Sequence, residues 1–177
     1  YGSYDPRMRK VAVATARILQ HAGVDFGILG AEEGCCGESI RKTGNEEVFR
    51  SLAKHNIKTF VERGVKRILV SSPHCYHAFK KEYREFMVSF EVVHISELLA
   101  QLVEEGRLEL RAPLGKKVTY HDPCYLGRHN GIYEQPRDVL RKVPGLELLE
   151  MSEQRSGGLC CGGGGGRIWM DTPKGER

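Results

Sequence analysis

The sequence lacks the features that would assign it to a membrane or to a nucleic acid. No apolar run approaches the roughly 18 residues that span a bilayer, and the chain does not start with the basic and then apolar segments of a signal peptide. Its 27 Lys and Arg are mixed with 23 Asp and Glu and form no basic patch interleaved with aromatic residues. We therefore expect a soluble piece with no membrane span of its own and no nucleic-acid partner.

Several binding motifs are also absent. The glycine-rich dinucleotide fingerprint G-x-G-x-x-G and the phosphate loop G-x-x-x-x-G-K-[ST] do not occur, so nucleotide binding has no support. Tetrahedral zinc usually takes closely spaced thiols such as C-x-x-C, because one short turn then presents two thiolates, and this motif is missing as well. The usual short motifs therefore leave the chemistry of the chain open.

Two residue types are unusually frequent or unusually placed. Of the 177 residues 21 are glycine, and five of these stand together at Gly162–Gly166. Six are cysteine, arranged as two adjacent pairs and two single residues: Cys35-Cys36, Cys75, Cys124 and Cys160-Cys161. The length and the 40% hydrophobic content suit one ordinary domain or two small halves that share a core. The cysteines are then the main clue to function.

Hydrophobic periodicity predicts alternating strands and helices. We expect helices over residues 6–22, 45–63, 76–86, 96–106 and 136–143, with Asp5 and Ser96 as N-caps. We expect buried strands over residues 24–30, 67–71, 90–95, 117–121 and 146–151. This alternation predicts an α/β fold with mostly parallel strands. Four of the five predicted strands end just before a cysteine element, so the cysteines should meet at the carboxyl ends of the strands.

The two halves of the chain resemble one another. An offset of about 125 residues superposes one cysteine doublet on the other, and a helix, a short strand and a long loop precede both. We therefore predict two pseudo-symmetric βα repeats, over residues 1–112 and 113–177. Both repeats are cut, so the parent polypeptide should carry a cysteine just before Tyr1 and a C-x-x-C beyond Arg177.

Three uses of the cysteines can be weighed. Disulfides are disfavoured because adjacent cysteines hardly bond one another without strain, and buried thiols acting as small hydrophobes explain two doublets in glycine-rich loops poorly. Metal binding explains them better. An iron–sulfur cluster spreads several irons over a few ångströms and so accepts thiolates from distant loops. Gly162 and Gly163 can bring backbone N–H groups close to the sulfides of such a cluster.

The cysteine elements resemble those of a known family. The matching segments are Gly34-Cys35-Cys36-Gly37, Ser72-Pro73-His74-Cys75, His121-Asp122-Pro123-Cys124 and Cys160-Cys161-Gly162. They resemble the cysteine-rich, or CCG, domains of heterodisulfide reductase B- and D-type subunits and related iron–sulfur oxidoreductases. The 38 residues between Cys36 and Cys75 and the 35 between Cys124 and Cys160 agree with that family's spacing.

The resemblance implies a division of roles between the two cysteine sets. Cys124, Cys160 and Cys161, with Gly162 and Gly163, would form the catalytic and cofactor-binding site, on a 4Fe-4S cluster that is noncubane in complete repeats of the family. Cys35, Cys36 and Cys75 would form a structural or auxiliary metal site, with zinc as the alternative to a second cluster. Ala78 occupies the position of a further family cysteine, and each set holds three cysteines, so a metal-free form of this piece stays open.

The function implied by the resemblance is redox. The chain would be an iron–sulfur oxidoreductase domain that takes electrons from a ferredoxin-like protein, a flavoprotein or a membrane cytochrome subunit. It would pass them to a disulfide or to quinone, in the cytoplasm and at the periphery of a membrane complex. The alternative from another class is a zinc-stabilised docking module without turnover. His74, His77 and His121 flank the cysteine elements, where they could donate protons or hydrogen bonds or merely cap strand ends.

Overall fold

A computed structural model describes residues 6–164, 166, 167, 171 and 173. This part of the chain has six α-helices and four short strands, which alternate from the third helix onward. In chain order they are α1 (Pro6–His21), α2 (Glu38–Lys42), α3 (Glu46–Glu62), β1 (Arg67–Val70), α4 (Pro73–Lys80), β2 (Glu91–His94), α5 (Ile95–Glu104), β3 (Lys117–Thr119), α6 (Glu134–Arg141) and β4 (Glu147–Leu149). Three short 3-10 helices lie at Gly30–Glu32, Glu82–Phe86 and Arg155–Gly157.

The described strands form two separate parallel pairs. β1 pairs with β2, from Arg67 opposite Glu91 to Val70 opposite His94. β3 pairs with β4, from Lys117 opposite Glu147 onward. A helix crosses between the strands of each pair, as parallel pairing requires. The α/β class and the parallel strands are confirmed, and the described strands form two sheets of two strands each.

The predicted strand over residues 24–30 is wrong. Val24 donates its N–H to Leu19 O at the end of α1, and Gly27 weakens any strand continuing from there. Val24 and Phe26 nevertheless pack against a buried aliphatic cluster, as residues of β1 and β2 also do. The segment therefore supplies core side chains without pairing its backbone.

Helix boundaries follow capping residues, with two corrections. Asn45 caps α3 by accepting the Val48 N–H at 3.1 Å, whereas Asp5, the expected cap of α1, lies outside the described residues. α5 is capped by His94, whose ring accepts from Ser96 N, and not by Ser96. α4 starts at Pro73 and not at Tyr76, because Pro suits the first helical position and Ser72 caps the turn. Cys75 consequently lies in the first turn of a helix.

The core consists of two clusters of buried side chains. One is aromatic and centres on Phe49, Phe60, Phe79 and Tyr83, whose rings meet edge to face. The other is aliphatic, and α1 and α5 contribute most of it. Cys36 belongs to the aromatic cluster, so the first cysteine doublet is anchored in the core.

The predicted division between residues 112 and 113 falls in the segment between α5 and β3, where no helix or strand is present. The two repeats stay a prediction. Among the described residues, no helix is both long enough and apolar enough to cross a membrane.

Candidate metal centre

The first thiol group, Cys35, Cys36 and Cys75, forms where the loop before α2 meets the start of α4. β1 ends at Val70, and Ser72 caps α4 so that Cys75 faces the doublet. The thiol of Cys36 hydrogen-bonds with those of both Cys35 and Cys75. Cys36 is only 7% exposed. The three cysteines that the sequence assigned to one set are therefore in contact.

Hydrogen bonding within the first thiol group separates the pKa values of its members. The Cys36 thiol lowers the pKa of Cys35 to about 6, and the Gly37 N–H, 3.4 Å from Cys35 Sγ, acts in the same direction. The Cys36 thiol also lowers the pKa of Cys75, followed by Ser72. The pKa of Cys36 itself is raised by its two thiol partners and by burial. The lowered pKa values favour the thiolate forms of Cys35 and Cys75, and the thiolate is the form that binds metal.

Close packing fixes the backbone on both sides of the first doublet. Gly37 has φ +80°, and a Cβ there would lie 2.9 Å from Phe49 Cδ2. Asn56 donates its side-chain N–H to Cys35 O at 2.8 Å, and the Tyr83 hydroxyl donates to Cys36 O at 3.2 Å. Sequence reasoning missed Asn56 and Tyr83. Asn56 is only 2% exposed, but this burial arises from tertiary packing and has no signal of its own in the sequence.

The second thiol group, Cys124, Cys160 and Cys161, is more open to solvent. Cys124 follows β3 and is half-buried, whereas both doublet cysteines are exposed. Cys124 hydrogen-bonds with Cys160, and burial together with the two nearby thiols raises the pKa of Cys124. The structure therefore brings together the three cysteines expected to form the redox site.

Glycine N–H groups point at the doublet sulfurs of the second thiol group. Gly162 N lies 3.5 Å from Cys160 Sγ, and Gly163 N lies 3.5 Å from Cys161 Sγ. The first doublet has the same contact between Gly37 and Cys35. Each N–H comes from the second residue after the cysteine that it contacts. Both doublets thus share a local geometry in which glycine backbone donates to sulfur.

A stacked pair of rings lies between the two thiol groups. His74 precedes Cys75, Tyr125 follows Cys124, and their ring centroids are 4.2 Å apart. Beneath them is Glu38, 1% exposed, whose Oε2 lies 3.2 Å from His74 Nδ1. Burial acts to raise the pKa of Glu38, but hydrogen bonds from His74 and Tyr125 outweigh it, so that the pKa is lowered.

The glycine run after the second doublet passes over this stack. A Cβ on Gly164 would lie 4.0 Å from both His74 Cε1 and Tyr125 Cε2, and one on Gly166 would overlap Thr43 Cγ2 of the turn after α2. Gly165 lies outside the described residues. The run therefore connects the second thiol group to the helix that follows the first doublet.

The other flanking histidines have structural contacts. His121 Nε2 lies 2.8 Å from Leu159 O, so this side chain joins the loop after β3 to the second doublet. His77 packs on Tyr125 with ring centroids 5.1 Å apart, and burial lowers its pKa.

Sequence reasoning also missed Arg137. Its guanidinium is fully buried and is bonded to both carboxylate oxygens of Asp122, two residues before Cys124. In sequence, Arg137 stands in a charged stretch that reads as a solvated surface, so no signal marked it.

The donor chemistry of both thiol groups fits an iron–sulfur cluster. All six cysteines are free, each group offers three thiols, and the glycine N–H groups next to them are the donors that cluster sulfurs accept. As the side chains stand in the described part of the chain, no group of three or more His, Cys, Asp or Glu is arranged to hold a single metal ion.

Comparison with known proteins places these features in a family. The model of the CCG cysteine-rich domain matches residues 2–80 and 118–177. The chain is 47% identical over 176 residues to the probable iron-sulfur-binding oxidoreductase FadF of Bacillus subtilis, covering 99% of this chain and 25% of the relative. It is 49% identical over 169 residues to the EtfAB:quinone oxidoreductase of Syntrophomonas wolfei, covering 96% and 24%.

A third relative has a different acceptor in its name. The chain is 41% identical over 162 residues to the D-type subunit of the dihydromethanophenazine:CoB--CoM heterodisulfide reductase of Methanosarcina mazei, covering 88% of this chain and 40% of the relative. No solved structure matches the chain significantly. The chain spans about a quarter of the length of the first two relatives. With the family model matched over most of its length and its cysteine elements in place, the chain belongs to the CCG cysteine-rich domain family.

Proposed function

We propose that this chain is the iron–sulfur domain of an oxidoreductase and that it passes electrons between a redox protein partner and an acceptor. The observation that carries the proposal is the paired arrangement of thiols. Two groups of three cysteines form, and in each a doublet receives N–H groups from the glycines that follow it. Thiolate ligands with backbone donors aimed at sulfur are the surroundings that hold an iron–sulfur cluster and set its potential.

The names of the relatives support this class of activity and suggest its acceptors. Two relatives are called iron–sulfur-binding or quinone oxidoreductases, and another is a heterodisulfide reductase subunit. We therefore propose a disulfide, or quinone reached through a membrane partner, as the acceptor. The donor would be a ferredoxin-like protein or a flavoprotein, and the chain would sit at the periphery of a membrane complex.

Cys124, Cys160 and Cys161 are the proposed redox site. Both doublet cysteines are exposed, so an acceptor or partner can approach them directly. Gly162 and Gly163 supply the N–H donors to their sulfurs. A bound 4Fe-4S cluster, of noncubane type by family resemblance, would supply one-electron chemistry there. The three thiolates would hold the cluster, and the exposure of both doublet cysteines would leave it open to a partner.

Cys35, Cys36 and Cys75 are the proposed auxiliary site. Cys35 is exposed, but Cys36 is buried in the aromatic core and Cys75 is half-buried, so a large acceptor could reach only one of the three sulfurs freely. The lowered pKa values of Cys35 and Cys75 favour the thiolate form that a second cluster or a zinc ion requires. Glu38, beneath the His74–Tyr125 stack, places a buried carboxylate between the two sites.

The experiment that tests the proposal is metal analysis of the full-length polypeptide purified without oxygen. We expect a brown protein with several irons and acid-labile sulfides per chain, whose visible absorption bleaches on reduction and returns when a quinone or a disulfide is added. A colourless protein with zinc and no iron would instead support a zinc-stabilised docking module and overturn the redox proposal.

A further inference from the structure

Arg137 is a buried positive charge surrounded by acceptors. Its Nη1 and Nη2 each lie 2.7 Å from a carboxylate oxygen of Asp122, and its Nε and Nη2 lie 2.8 and 3.1 Å from the oxygens of Glu150. A further bond of 2.8 Å goes to Tyr133 O. A charge can be buried at tolerable cost only when it is paired in this way. α6 is thereby tied to the Asp-Pro-Cys segment after β3 and to the end of β4.

Besides binding Arg137, Asp122 binds the backbone of a second segment of the chain. Its Oδ2 accepts the backbone N–H of Arg155 at 2.6 Å. Arg155 has φ 54°, a left-handed conformation that is unfavourable for a residue with a side chain. Its guanidinium is held by Glu134 of α6 at 2.7 Å. Asp122 and α6 together therefore impose a strained turn on the chain shortly before the second doublet.

Two more contacts continue from that turn to the doublet. Arg128 donates to Gly158 O, and His121 Nε2 lies 2.8 Å from Leu159 O, the carbonyl directly before Cys160. A Cβ on Gly158 would lie 3.7 Å from Asp122 Cβ, so the two backbones are close. The segment that carries Cys124 is thus fastened at successive points to the segment that carries the doublet.

We propose that Arg137 is a positioning residue for the second thiol group. By orienting Asp122, it fixes the turn at Arg155 and so sets the distance between Cys124 and the Cys160-Cys161 doublet. The inference rests on the proposed function only in treating these three thiols as one ligand set. It concerns how the chain places its own sulfurs before any metal is bound.

The test measures thiol proximity in the metal-free, reduced full-length polypeptide. A short bifunctional thiol reagent, dibromobimane, bridges neighbouring cysteines, and mass spectrometry of the digest quantifies bridging of Cys124 to the doublet. Bridging of Cys75 to Cys35 or Cys36 in the same sample serves as the internal reference. The readout is the ratio of bridging in the second thiol group to bridging in the first. A general loss of stability would lower bridging in both groups and leave this ratio unchanged.

Arg137→Met is the main variant, and Arg141→Met is its matched control. Arg141 is an exposed arginine of the same helix that pairs with Asp138, Glu134 and Glu150 at 3.3, 3.5 and 3.6 Å. Its replacement leaves the direct bonds of Arg137 to Asp122 and Glu150 in place. We expect Arg137→Met to lower the bridging ratio by about tenfold, because it leaves the buried carboxylate of Asp122 without its charged partner. Arg141→Met should leave it within about twofold, as surface ion pairs contribute little.

Arg137→Lys covers the case in which Arg137→Met does not fold. Lysine keeps the charge but is a point donor that cannot bond both oxygens of Asp122 and of Glu150, so the ratio should fall by several-fold in a folded chain. An unchanged ratio in either folded variant would overturn the positioning role. Because the measurement needs no iron, a fall in the ratio would stand even if metal analysis found no cluster.

Discussion

The two thiol groups of this chain have similar ligands but are held in place by different forces. The first doublet has Cys36 inside a cluster of aromatic side chains and its backbone carbonyls bonded to Asn56 and Tyr83. The second doublet is exposed, and ion pairs and carbonyl contacts hold the loop that leads to it. One site is therefore part of the hydrophobic core, and the other is attached to the fold by polar contacts.

Because of this difference, the first thiol group matters more for the stability of the domain and the second more for its proposed function. Apolar packing contributes to the free energy of folding wherever it occurs, so the first group cannot be altered without weakening the domain. The second group can be altered with little loss of core, which suits a site that must expose its sulfurs to a partner. We therefore expect the two doublets to respond in opposite ways to the same substitutions.

The largest expected effect comes from removing each doublet in turn. The double variant Cys160→Ala with Cys161→Ala should lower electron transfer to the acceptor by more than about 100-fold, since loss of an outer partner of a metal ligand already costs 10–100-fold. Its free energy of unfolding in the metal-free state should stay within about 0.5 kcal/mol, because the side chains are exposed. Steady-state assays and urea unfolding measure the two quantities.

The matched variant replaces Cys35 and Cys36 by Ala. It should lower the free energy of unfolding by about 1–2 kcal/mol, because Cys36 leaves a small cavity in the aromatic core, and it should reduce turnover by less than the first variant. Equal losses of turnover in the two variants would contradict the assignment of separate redox and auxiliary sites.

A smaller contrast is expected between two glycines that donate to sulfur. Gly37→Ala should lower the free energy of unfolding by about 2–3 kcal/mol, because φ is +80° and the new Cβ would lie 2.9 Å from Phe49. Gly163→Ala should change it by less than about 0.5 kcal/mol, since its Cβ would make an ordinary 3.7 Å contact with Cys161 Sγ. Urea unfolding of both variants decides the comparison, and equal values would show that the two doublets are packed alike.

The smallest effect concerns the reactivity of Cys35. Because hydrogen bonding from Cys36 lowers the pKa of Cys35 to about 6, its alkylation rate in the metal-free chain should rise with a midpoint near pH 6 and level off by pH 7. Cys36→Ala should move that midpoint up toward about 8.5, the value of an ordinary thiol. Rates of iodoacetamide labelling, followed by mass spectrometry, test this. Cys161→Ala is the control and should leave the midpoint unchanged, whereas a midpoint near 8.5 in the unaltered chain would refute the thiol contact.

Sequence patterns predicted the parts of this fold that depend on hydrophobic periodicity and on residues that end helices. The end of α1 before Gly23 and the span of α3 before Gly64 followed from an apolar stripe with a glycine at its end. Cys75, Cys124 and the second doublet follow β1, β3 and β4, as the argument from strand ends predicted, whereas the first doublet follows residues that form no strand. Residues 24–30 have the composition of a strand but do not pair, because pairing depends on neighbours that composition does not record.

The residues that hold the site could not be predicted, because their roles arise only from tertiary contacts. Arg137 becomes a buried charge only when α6 packs between Asp122 and Glu150. Asn56 acquires its role when α3 meets the first doublet. A charge or an amide in a helix has the same sequence signal on a surface as in a core, so only the packed structure distinguishes them.

The glycine run beside the second doublet also gives the two sites a different dependence on temperature. Glycine loses more backbone freedom on ordering than any other residue, and the free-energy cost of that loss grows with temperature. The aromatic packing around Cys36 depends on hydrophobic burial, which weakens on cooling and not on moderate warming. Warming should therefore weaken the contact of Gly164 with the His74–Tyr125 stack before it loosens the core. At high temperature we therefore expect the second thiol group, and not the core, to be the part of this domain that loses its structure first.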